Sequence, residues 1–351
     1  MIFENLSAIN FRNFDSRKFI WSTNLNLIIG KNASGKTNLL EAFSILSGWG
    51  AFGKIRDLQN WNHHSLNQNQ NTLLNANIGQ GVRSAQNLSS YIQAKISSQI
   101  SLRFNEKRIS NTELRLEIPT IFFSPTSVNL IDGAPSIRRS FLNKLCAIIF
   151  PAFAKRLCEF RFITRNRIDL LRKNRPVSAT DIPFCKLGGW IMDARRRVLT
   201  QISHNDFTLK LIPEIHDSSS AEFLFREIQR TSQRERYALH PIVGANYDDL
   251  QITLKSNSKP AAIALSRGQK RKLTLELIIS AAELIAKTLG KNPVLFFDDL
   301  FAELDPENRA FSLRKLAQTN WQCFVTSPEN FAELHAFRND FEAGFRELVL
   351  D

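Results

Sequence analysis

The fold is decided by the stretch Leu-Asn-Leu-Ile-Ile-Gly-Lys-Asn-Ala-Ser-Gly-Lys-Thr-Asn-Leu-Leu-Glu at residues 25–41. An apolar run ends at Gly30, and a helical pattern of apolar residues begins after Thr37. Between them, the spacing G-x-x-x-x-G-K-T predicts a phosphate-binding loop that joins a buried strand to a helix. The two glycines let successive N–H groups converge on an anion, and the helix N-terminus adds a partial positive charge.

Each position of this loop has an expected role in holding a nucleotide. The predicted nucleotide-binding residues are Gly30, Lys31, Asn32, Ala33, Ser34, Gly35, Lys36 and Thr37. Lys36 is expected to reach the β- and γ-phosphates, and the Thr37 hydroxyl to bind Mg²⁺. The alternative is a Gly/Ser-rich turn that matches the pattern by accident, and the flanking strand and helix patterns argue against it.

A second nucleotide signal follows the apolar run Val-Leu-Phe-Phe at residues 294–297. A buried strand that ends in Asp298 delivers a carboxylate beside the phosphate loop, where it can bind Mg²⁺ directly or through water. Asp299 is then the predicted catalytic residue, which acts as general base or orients the attacking water. An Asp-Asp turn after any strand is the alternative, so this pair carries little weight alone.

A third signal, Leu-Ser-Arg-Gly-Gln at residues 265–269, opens a helical pattern and resembles the signature of ABC-type ATPases. In that family, the serine and the helix N-terminus bind the γ-phosphate held by the opposite subunit. The resemblance implies the same in-trans contact here for Ser266, Arg267, Gly268 and Gln269. An ordinary serine N-cap explains the motif taken alone. It does not explain why the motif lies about 30 residues before Asp298.

Over nearly its whole length the chain resembles the RecF family of recombination-repair ATPases, which is related to the heads of SMC proteins. The resemblance rests on the phosphate loop and on five further segments: residues 10–14 (Asn-Phe-Arg-Asn-Phe), 123–125 (Phe-Ser-Pro), 132–142 (Asp-Gly-Ala-Pro-Ser-Ile-Arg-Arg-Ser-Phe-Leu), 165–166 (Arg-Asn, in the arm helix) and 297–305 (Phe-Asp-Asp-Leu-Phe-Ala-Glu-Leu-Asp).

This resemblance implies an α/β fold, a P-loop NTPase with an ABC ATPase-like head and an inserted α-helical arm. It implies the cofactors ATP and Mg²⁺, a homodimer in ATP, and binding to gapped or double-stranded DNA and to junctions of single strand and duplex. It also implies mediator partners of the RecO and RecR type.

The chain departs from the family pattern at several positions. Asn246 and Tyr247 stand in the segment Gly-Ala-Asn-Tyr-Asp-Asp, where the family usually has His and Arg. Gly-Trp-Gly at residues 48–50 replaces the usual Gly-Arg-Ser. The Q-loop glutamine has no clear counterpart, and Ser124 stands nearest its place. Thr326 occupies the place of the transporter switch histidine, which favours the RecF family over a transporter subunit.

The charge of the chain favours a polyanionic partner. Lys and Arg number 46 against 33 Asp and Glu, a net charge of +13 with a pI near 9.8. Residues 138–210 contain sixteen Lys or Arg against five Asp or Glu, so they carry +11 of that charge. The scarcity of acids there favours DNA contact over an ordinary solvated face. The candidate DNA-binding residues are Arg138, Arg139, Arg195, Arg196 and Arg197.

The domain organisation follows from a change in periodicity. Apolar residues at three- and four-residue steps predict two long helices, from Phe153 to Leu171 and from Leu187 to Ile202, joined by a turn of about ten residues. Strand patterns return after Gly244. We therefore expect residues 1–135 to form the N-terminal half of an ATPase head, 136–238 an inserted basic helical arm, and 239–351 the C-terminal half.

Other features of the sequence exclude some classes of protein. Four cysteines without C-x-x-C spacing suggest neither a disulfide framework nor a zinc site. The N-terminus does not resemble a signal peptide, and the longest apolar run is too short to span a bilayer. We therefore expect a cytoplasmic protein without a membrane partner. Residues 59–77, rich in Asn and Gln and including His63 and His64, predict an exposed loop.

Three functions are compatible with these patterns. The first is a RecF-like, ATP-dependent DNA-binding protein of recombinational repair and replication-fork maintenance, whose weak DNA-dependent ATPase resets an ATP-driven dimer and which promotes recombinase loading. The second is a DNA scaffold that binds ATP without hydrolysing it. The third is the ATPase subunit of a phage-defence or toxin system of the same superfamily. A transporter subunit is disfavoured, since the arm is basic and no membrane-coupling segment stands out.

Overall fold

The computed structural model describes residues 1–59, 72–79, 89–124, 129–216, 218–301, 304–328 and 344–350. The strands are β1 (Ile2–Phe11), β2 (Phe14–Ile20), β3 (Leu25–Gly30), β4 (Thr72–Gly79), β5 (Ser90–Ile96), β6 (Ile100–Phe104), β7 (Lys107–Arg108), β8 (Thr120–Phe123), β9 (Phe207–Ile212), β10 (Asp249–Leu254), β11 (Val294–Phe297), β12 (Cys323–Ser327) and β13 (Phe345–Leu350). The helices are α1 (Lys36–Leu46), α2 (Asn111–Glu117), α3 (Asn129–Asp132), α4 (Pro135–Ile149), α5 (Phe153–Arg172), α6 (Ser178–Gln201), α7 (Ser220–Ala238), α8 (Ala261–Ala264), α9 (Arg267–Leu289) and α10 (Pro306–Thr319).

The chain divides into two compact units. The first comprises Met1–Thr126 and Ile285–Asp351, and the second is Ser127–Leu284. The predicted arm, residues 136–238, lies inside the second unit, which begins before residue 136 and ends after residue 238. Residues 239–284, which the strand pattern placed in the head, belong to the second unit, in which β10 pairs antiparallel with β9.

Two sheets form the framework of the first unit. One is a parallel sheet with the strand order β13-β3-β12-β11-β8, and the other is an antiparallel sheet with the order β2-β1-β4-β5-β6-β7. The three central strands, β3, β12 and β11, are buried along their whole length, as expected of strands covered on both faces. Loops after the carboxyl ends of β3 and β11 therefore meet at one edge of this sheet, where ligands bind in open α/β folds.

Helix α1 lies at the centre of the core that both sheets share. It is buried on nearly every side, from Lys36 at its start to Leu46 at its end. The ring of Phe43 contacts aromatic rings from β1, β11 and β12 at centroid distances of 4.5 to 4.8 Å, namely those of Phe3, Phe296 and Phe324. A Phe→Ala change at such a site costs about 3–5 kcal/mol, so this contact anchors the phosphate loop at the start of α1.

A buried side chain also joins the two sheets. The Gln322 amide accepts from the Phe3 backbone N–H and donates to the Phe3 carbonyl, each at 2.7 Å. It thereby satisfies backbone groups of β1 that a neighbouring strand would otherwise pair with.

Several local predictions were incomplete. The strand and helix expected around the phosphate loop and the strand expected over residues 294–297 are confirmed. The loop expected over 59–77 is wrong at its end, because residues 72–77 belong to β4; His63 and His64 lie outside the described residues. The arm contains α4 and α7 as well as the two expected helices, and only residues 173–177 join α5 to α6. Among the described residues, no helix has the length and apolar character needed to cross a membrane.

Arginines that form ion pairs with carboxylates of the same unit hold the second unit together. Arg195, 2% exposed, donates to the buried Asp248 carboxylate at 2.8 Å and to the Ala245 carbonyl at 2.6 Å. Arg138 forms a two-pronged pair with Asp249 at 2.6 and 2.8 Å. These pairs tie α4 and α6 to the segment before β10, which explains why this segment belongs to the second unit.

Burial of the Asp248 carboxylate in this arrangement is electrostatically unfavourable. Burial raises the pKa of Asp248 to about 6, although the guanidinium of Arg195 acts in the opposite direction. One of its oxygens, Oδ1, has no hydrogen-bond partner among the described groups. Removing the one arginine that is directly paired with a buried carboxylate is strongly destabilising.

We predict that Arg195→Ala lowers the free energy of unfolding by about 3–5 kcal/mol, because it leaves the Asp248 carboxylate buried and unpaired. Arg197→Ala, an exposed neighbour on the same helix, changes it by no more than about 0.5 kcal/mol. Urea unfolding of both variants measures the difference. The deficit of Arg195→Ala is smaller at pH 5.5 than at pH 8, because a group with a raised folded-state pKa loses its unfavourable charge as the pH falls. Equal unfolding curves for the two variants would contradict this account.

Candidate functional site

The phosphate loop runs from the end of β3 at Gly30 to the start of α1 at Lys36, as the sequence predicts. Gly35 adopts a φ of +103°, and a Cβ there would lie 2.5 Å from the Asn13 amide nitrogen. That amide group donates to the Ser34 carbonyl at 3.1 Å and accepts from Asn38 at 2.9 Å. Asn13 therefore braces the outside of the loop, a role that the sequence did not indicate.

The loop has the features of an anion cradle. No side chain caps the N-terminus of α1, and its first turn carries no acidic residue. The N–H groups of that turn are thus available to an anion. The Lys36 ammonium donates to the carbonyls of Gly30 and Lys31 at 2.6 and 3.0 Å, so it lies across the loop. The buried Ser34 hydroxyl has no partner among the described groups.

Thr37 and the two aspartates after β11 meet beside this cradle. The Thr37 hydroxyl donates to Asp298 Oδ2 at 3.4 Å. The other oxygen of Asp298 accepts from the Thr326 hydroxyl at 2.8 Å, and that hydroxyl accepts from the Asp299 N–H at 2.9 Å. Thr326, at the end of β12, thereby sets the position of both aspartates. The sequence pattern indicates the place of Thr326 but not this function.

Asp299 has the environment of a reactive carboxyl. Its φ is +50°, a left-handed conformation that few non-glycine residues adopt, although Asn and Asp adopt it more often than most. Its Oδ1 is buried without a partner among the described groups. Burial, followed by the neighbouring charge of Asp298, raises the pKa of Asp299, and Lys36 opposes the shift. A carboxyl with a raised pKa is a better proton acceptor when it is ionised.

The donor set suits a magnesium nucleotide. The cradle of N–H groups and the Lys36 ammonium match a polyphosphate, and the unpaired Ser34 hydroxyl leaves a donor facing the loop. Thr37 and Asp298 offer two oxygen ligands 3.4 Å apart. Neighbouring ligands in an octahedral Mg²⁺ shell lie about 3 Å apart, since each metal–oxygen bond is about 2.1 Å long. These residues therefore fit the groups that the sequence predicted for them.

The predicted signature residues open α9 in the second unit. The Ser266 N–H donates to Gln269 Oε1 at 2.9 Å, and the Gln269 N–H donates to Ser266 Oγ at 3.4 Å. This reciprocal pair is a capping box, so the N-cap interpretation of the motif applies in this chain. Ser266, Arg267 and Gln269 are exposed, so the helix N-terminus also faces outward. The in-trans role stays a prediction.

The five candidate DNA-binding arginines are not equivalent. Arg138 and Arg195 are buried and paired with carboxylates. Arg139 donates to the Asp248 carbonyl at 2.7 Å, and Arg196 donates to Ser220 and Pro213. Only the side chain of Arg197 is exposed. Because packing consumes the donors of the other four, their density in the sequence is a poor guide to the charged surface.

One cluster with the composition of a metal site lies in the second unit. His204, Asp206 and Glu276 bring their nitrogen and oxygen atoms within 4.8 Å of one another. The Asp206 N–H donates to His204 Nδ1 at 3.1 Å. A metal-bound histidine usually donates its second ring N–H instead, so this ring is oriented for hydrogen bonding.

Comparison with known proteins agrees with this geometry. The family model described as RecF/RecN/SMC N terminal domain matches residues 2–336. "DNA replication and repair protein RecF" of Streptococcus agalactiae serotype V is 27% identical over 350 residues, which covers 93% of this chain and 91% of the relative.

Two solved structures extend the comparison. One, described as the recombination mediator protein RecF-ATPrS in the RecFOR pathway, is 25% identical with a TM-score of 0.79 and covers 95% of this chain and 93% of its own. An Smc head bound to the C-winged helix domain of ScpA, 15% identical with a TM-score of 0.50, covers 94% of this chain and 90% of its own and shares the fold.

The chain is therefore an α/β P-loop protein of the ABC ATPase-head class, and it belongs to the RecF/RecN/SMC N-terminal domain family. Within that family its resemblance to RecF, predicted from the sequence motifs, is confirmed.

We predict that Gly35→Ala weakens binding of a fluorescent ATP analogue at least tenfold, because a Cβ there displaces Asn13 and shifts the loop's N–H groups. Gly50→Ala is a matched control, since Gly50 also has a positive φ of +86° but a Cβ added there would meet no atom within 4 Å. Both substitutions carry a similar backbone strain of about 1–2 kcal/mol. If the two variants lose affinity equally, the Asn13 contact is not what shapes the loop.

Proposed function

We propose that this protein is an ATP-dependent DNA-binding protein of recombinational repair and replication-fork maintenance, which dimerises in ATP and promotes the loading of recombinase. The observation that carries this proposal is the meeting of Thr37, Asp298 and Asp299 beside the phosphate loop, where the Thr326 hydroxyl bonds to both aspartates. The names of its relatives, which place them in DNA repair and in the RecFOR pathway, support the same function.

Each residue of the site has a defined task in this proposal. Lys36 and the first turn of α1 bind the phosphates. Thr37 and Asp298 hold Mg²⁺, which neutralises charge on the phosphates when it is bound. Asp299 orients the attacking water and accepts its proton. Thr326 is a positioning residue, which holds both aspartates in place without itself contacting the substrate.

The proposed dimerisation rests on the segment that opens α9. The N-terminus of α9, where Ser266, Arg267 and Gln269 are exposed, lies in a different compact unit from the phosphate loop. We propose that it completes the ATP site of a second copy. ATP that binds only the paired state stabilises the dimer by mass action, and slow hydrolysis releases it.

The proposed macromolecular partners are gapped or double-stranded DNA and mediator proteins of the RecO and RecR type. The net charge of +13 supports a DNA partner, and the RecFOR pathway named for the similar structure supports the mediators. Binding that rests on phosphate contacts weakens steeply as the salt concentration rises.

We predict that Lys36→Ala abolishes ATP binding and ATP-dependent dimerisation together, because both depend on the same phosphates. Light scattering with and without ATP, in the absence and presence of gapped DNA, measures the dimer. Lys18→Ala, an exposed lysine of β2, serves as the control and dimerises as the unmodified chain does. An ATP-driven dimer of the Lys36→Ala variant would contradict the proposal.

We predict that Asp299→Asn retains ATP and accumulates the dimer, with phosphate release reduced at least a hundredfold. Phosphate assays with and without duplex DNA measure the release. If the unmodified chain releases no more phosphate than the Lys36→Ala variant, the protein is an ATP-binding scaffold instead.

A further inference from the structure

Helix α5 presents an aromatic side chain at the middle of its solvent face. Its buried face is formed by residues at three- and four-residue steps, among them Phe160, Thr164 and Leu171. At about 100° per residue, Phe162 lies on the side of the helix opposite to them. Its side chain is 58% exposed, so it contributes little to the core.

Cations surround this phenylalanine. Exposed basic residues along α5 and the turn after it are Lys155, Arg156, Arg161, Arg165, Arg172, Lys173 and Arg175. Within the described ranges, none of them forms an ion pair with a carboxylate; Arg156 instead lies over the Trp190 ring at 4.4 Å. The exposed acids of the helix are Glu159 and Asp169. The stripe from Lys155 to Lys173 is about 27 Å long, since a helix rises about 1.5 Å per residue.

The buried cation of the same helix shows why these exposed ones are distinctive. Arg167 is fully enclosed and is neutralised by Asp181 at 2.5 Å and by Glu235 at 2.7 Å. The fold therefore supplies carboxylates to the arginine it buries and leaves the outward-facing ones for an external anion. A stripe of about 27 Å faces roughly eight phosphates of one DNA strand at about 3.4 Å each.

We propose that the solvent face of α5 binds DNA where a single strand leaves a duplex, with Phe162 stacked on an unpaired base and the flanking cations on phosphates. This proposal rests on the DNA-binding function proposed above and assigns its contact surface. A cationic track with an aromatic platform is the chemistry that binds single strands, because every unstacked base offers a face to the ring.

A duplex alone does not use Phe162 in this way. Its bases are stacked on one another, so a side chain on a helix surface meets mainly sugars and phosphates. The cations therefore contribute to any DNA, and the phenylalanine contributes only where a base is unpaired. The ring thus supplies the preference for a gap over an uninterrupted duplex.

Affinity measurements on the full chain with ATP and Mg²⁺ test these separate roles of the cations and of Phe162. The probes are a fluorescein-labelled duplex with a short single-stranded gap and a blunt duplex of the same length. Phe162→Ala should weaken binding to the gapped probe at least fivefold and leave the blunt duplex within twofold, and Phe162→Trp should restore the gapped affinity. Ile182→Ala, which removes an equally exposed apolar side chain (59%) on α6, should change neither.

The cations are tested separately. Arg165→Gln should weaken binding to both probes and reduce the slope of log K against log salt concentration by roughly 0.7 to 0.9. Arg234→Gln, an exposed arginine of α7, is the matched control and should leave the slope unchanged.

Cys158 offers a direct footprint of the same surface. It is exposed on α5, one turn before Phe162, whereas the other three cysteines are buried. Bound gapped DNA should slow alkylation of Cys158 by iodoacetamide at least fivefold, and blunt duplex should slow it less. Mass spectrometry of the tryptic peptide measures the rate.

The outcomes separate this proposal from the function on which it rests. If the unmodified chain binds the gapped probe but Phe162→Ala binds it equally well, or Cys158 stays fully reactive, α5 is not the contact surface and DNA binding stands. If Phe162→Ala weakens binding to both probes equally, Phe162 does not stack on an unpaired base. If Phe162→Ala instead abolishes the ATP-driven dimer, the face belongs to a second copy of the chain. If the unmodified chain binds neither probe, both proposals fail.

Discussion

Everything at the nucleotide site depends on the burial of α1 between two sheets. The ring of Phe43 packs against rings from β1, β11 and β12, and the same helix begins with Lys36. Because a close-packed interior resists small displacements, this contact holds the start of α1 in register with the ends of β11 and β12. This packing therefore fixes the spacing between the loop, Asp298 and Thr326.

The second unit obeys a different constraint, the neutralisation of buried arginines. Arg138, Arg167 and Arg195 each pair with a carboxylate at least 53 residues away in the chain. Such pairs contribute little net stability, because desolvation offsets their attraction, but breaking one is costly. They thus specify which segments pack together. Asp248 and Asp249, in the segment that departs from the family pattern at Asn246 and Tyr247, serve this purpose.

These two constraints place the functional groups in different units. The phosphate loop and both aspartates belong to the first, and the signature residues and the exposed face of α5 belong to the second. In the dimer that we propose, a site completed by a second copy makes nucleotide occupancy a condition of assembly. In our proposal, the same assembly presents the cationic face of α5 to DNA, so ATP controls DNA binding without contacting it.

The sequence by itself determined the local chemistry of this protein. The loop at Gly30–Thr37, the strand before Asp298 and the helix after Ser266 follow from residue types at short spacings, which fix backbone geometry regardless of what surrounds it. Only the tertiary structure decided which charged side chains are exposed and which are buried in internal ion pairs. Arg195 and Arg197 are two residues apart, yet one is buried against Asp248 and the other is exposed. The partner of Arg138 is 111 residues away. Charge density can be counted along a chain, but burial and pairing depend on packing between distant segments, and so the candidate DNA surface moves from the Arg195–Arg197 run to the outer face of α5.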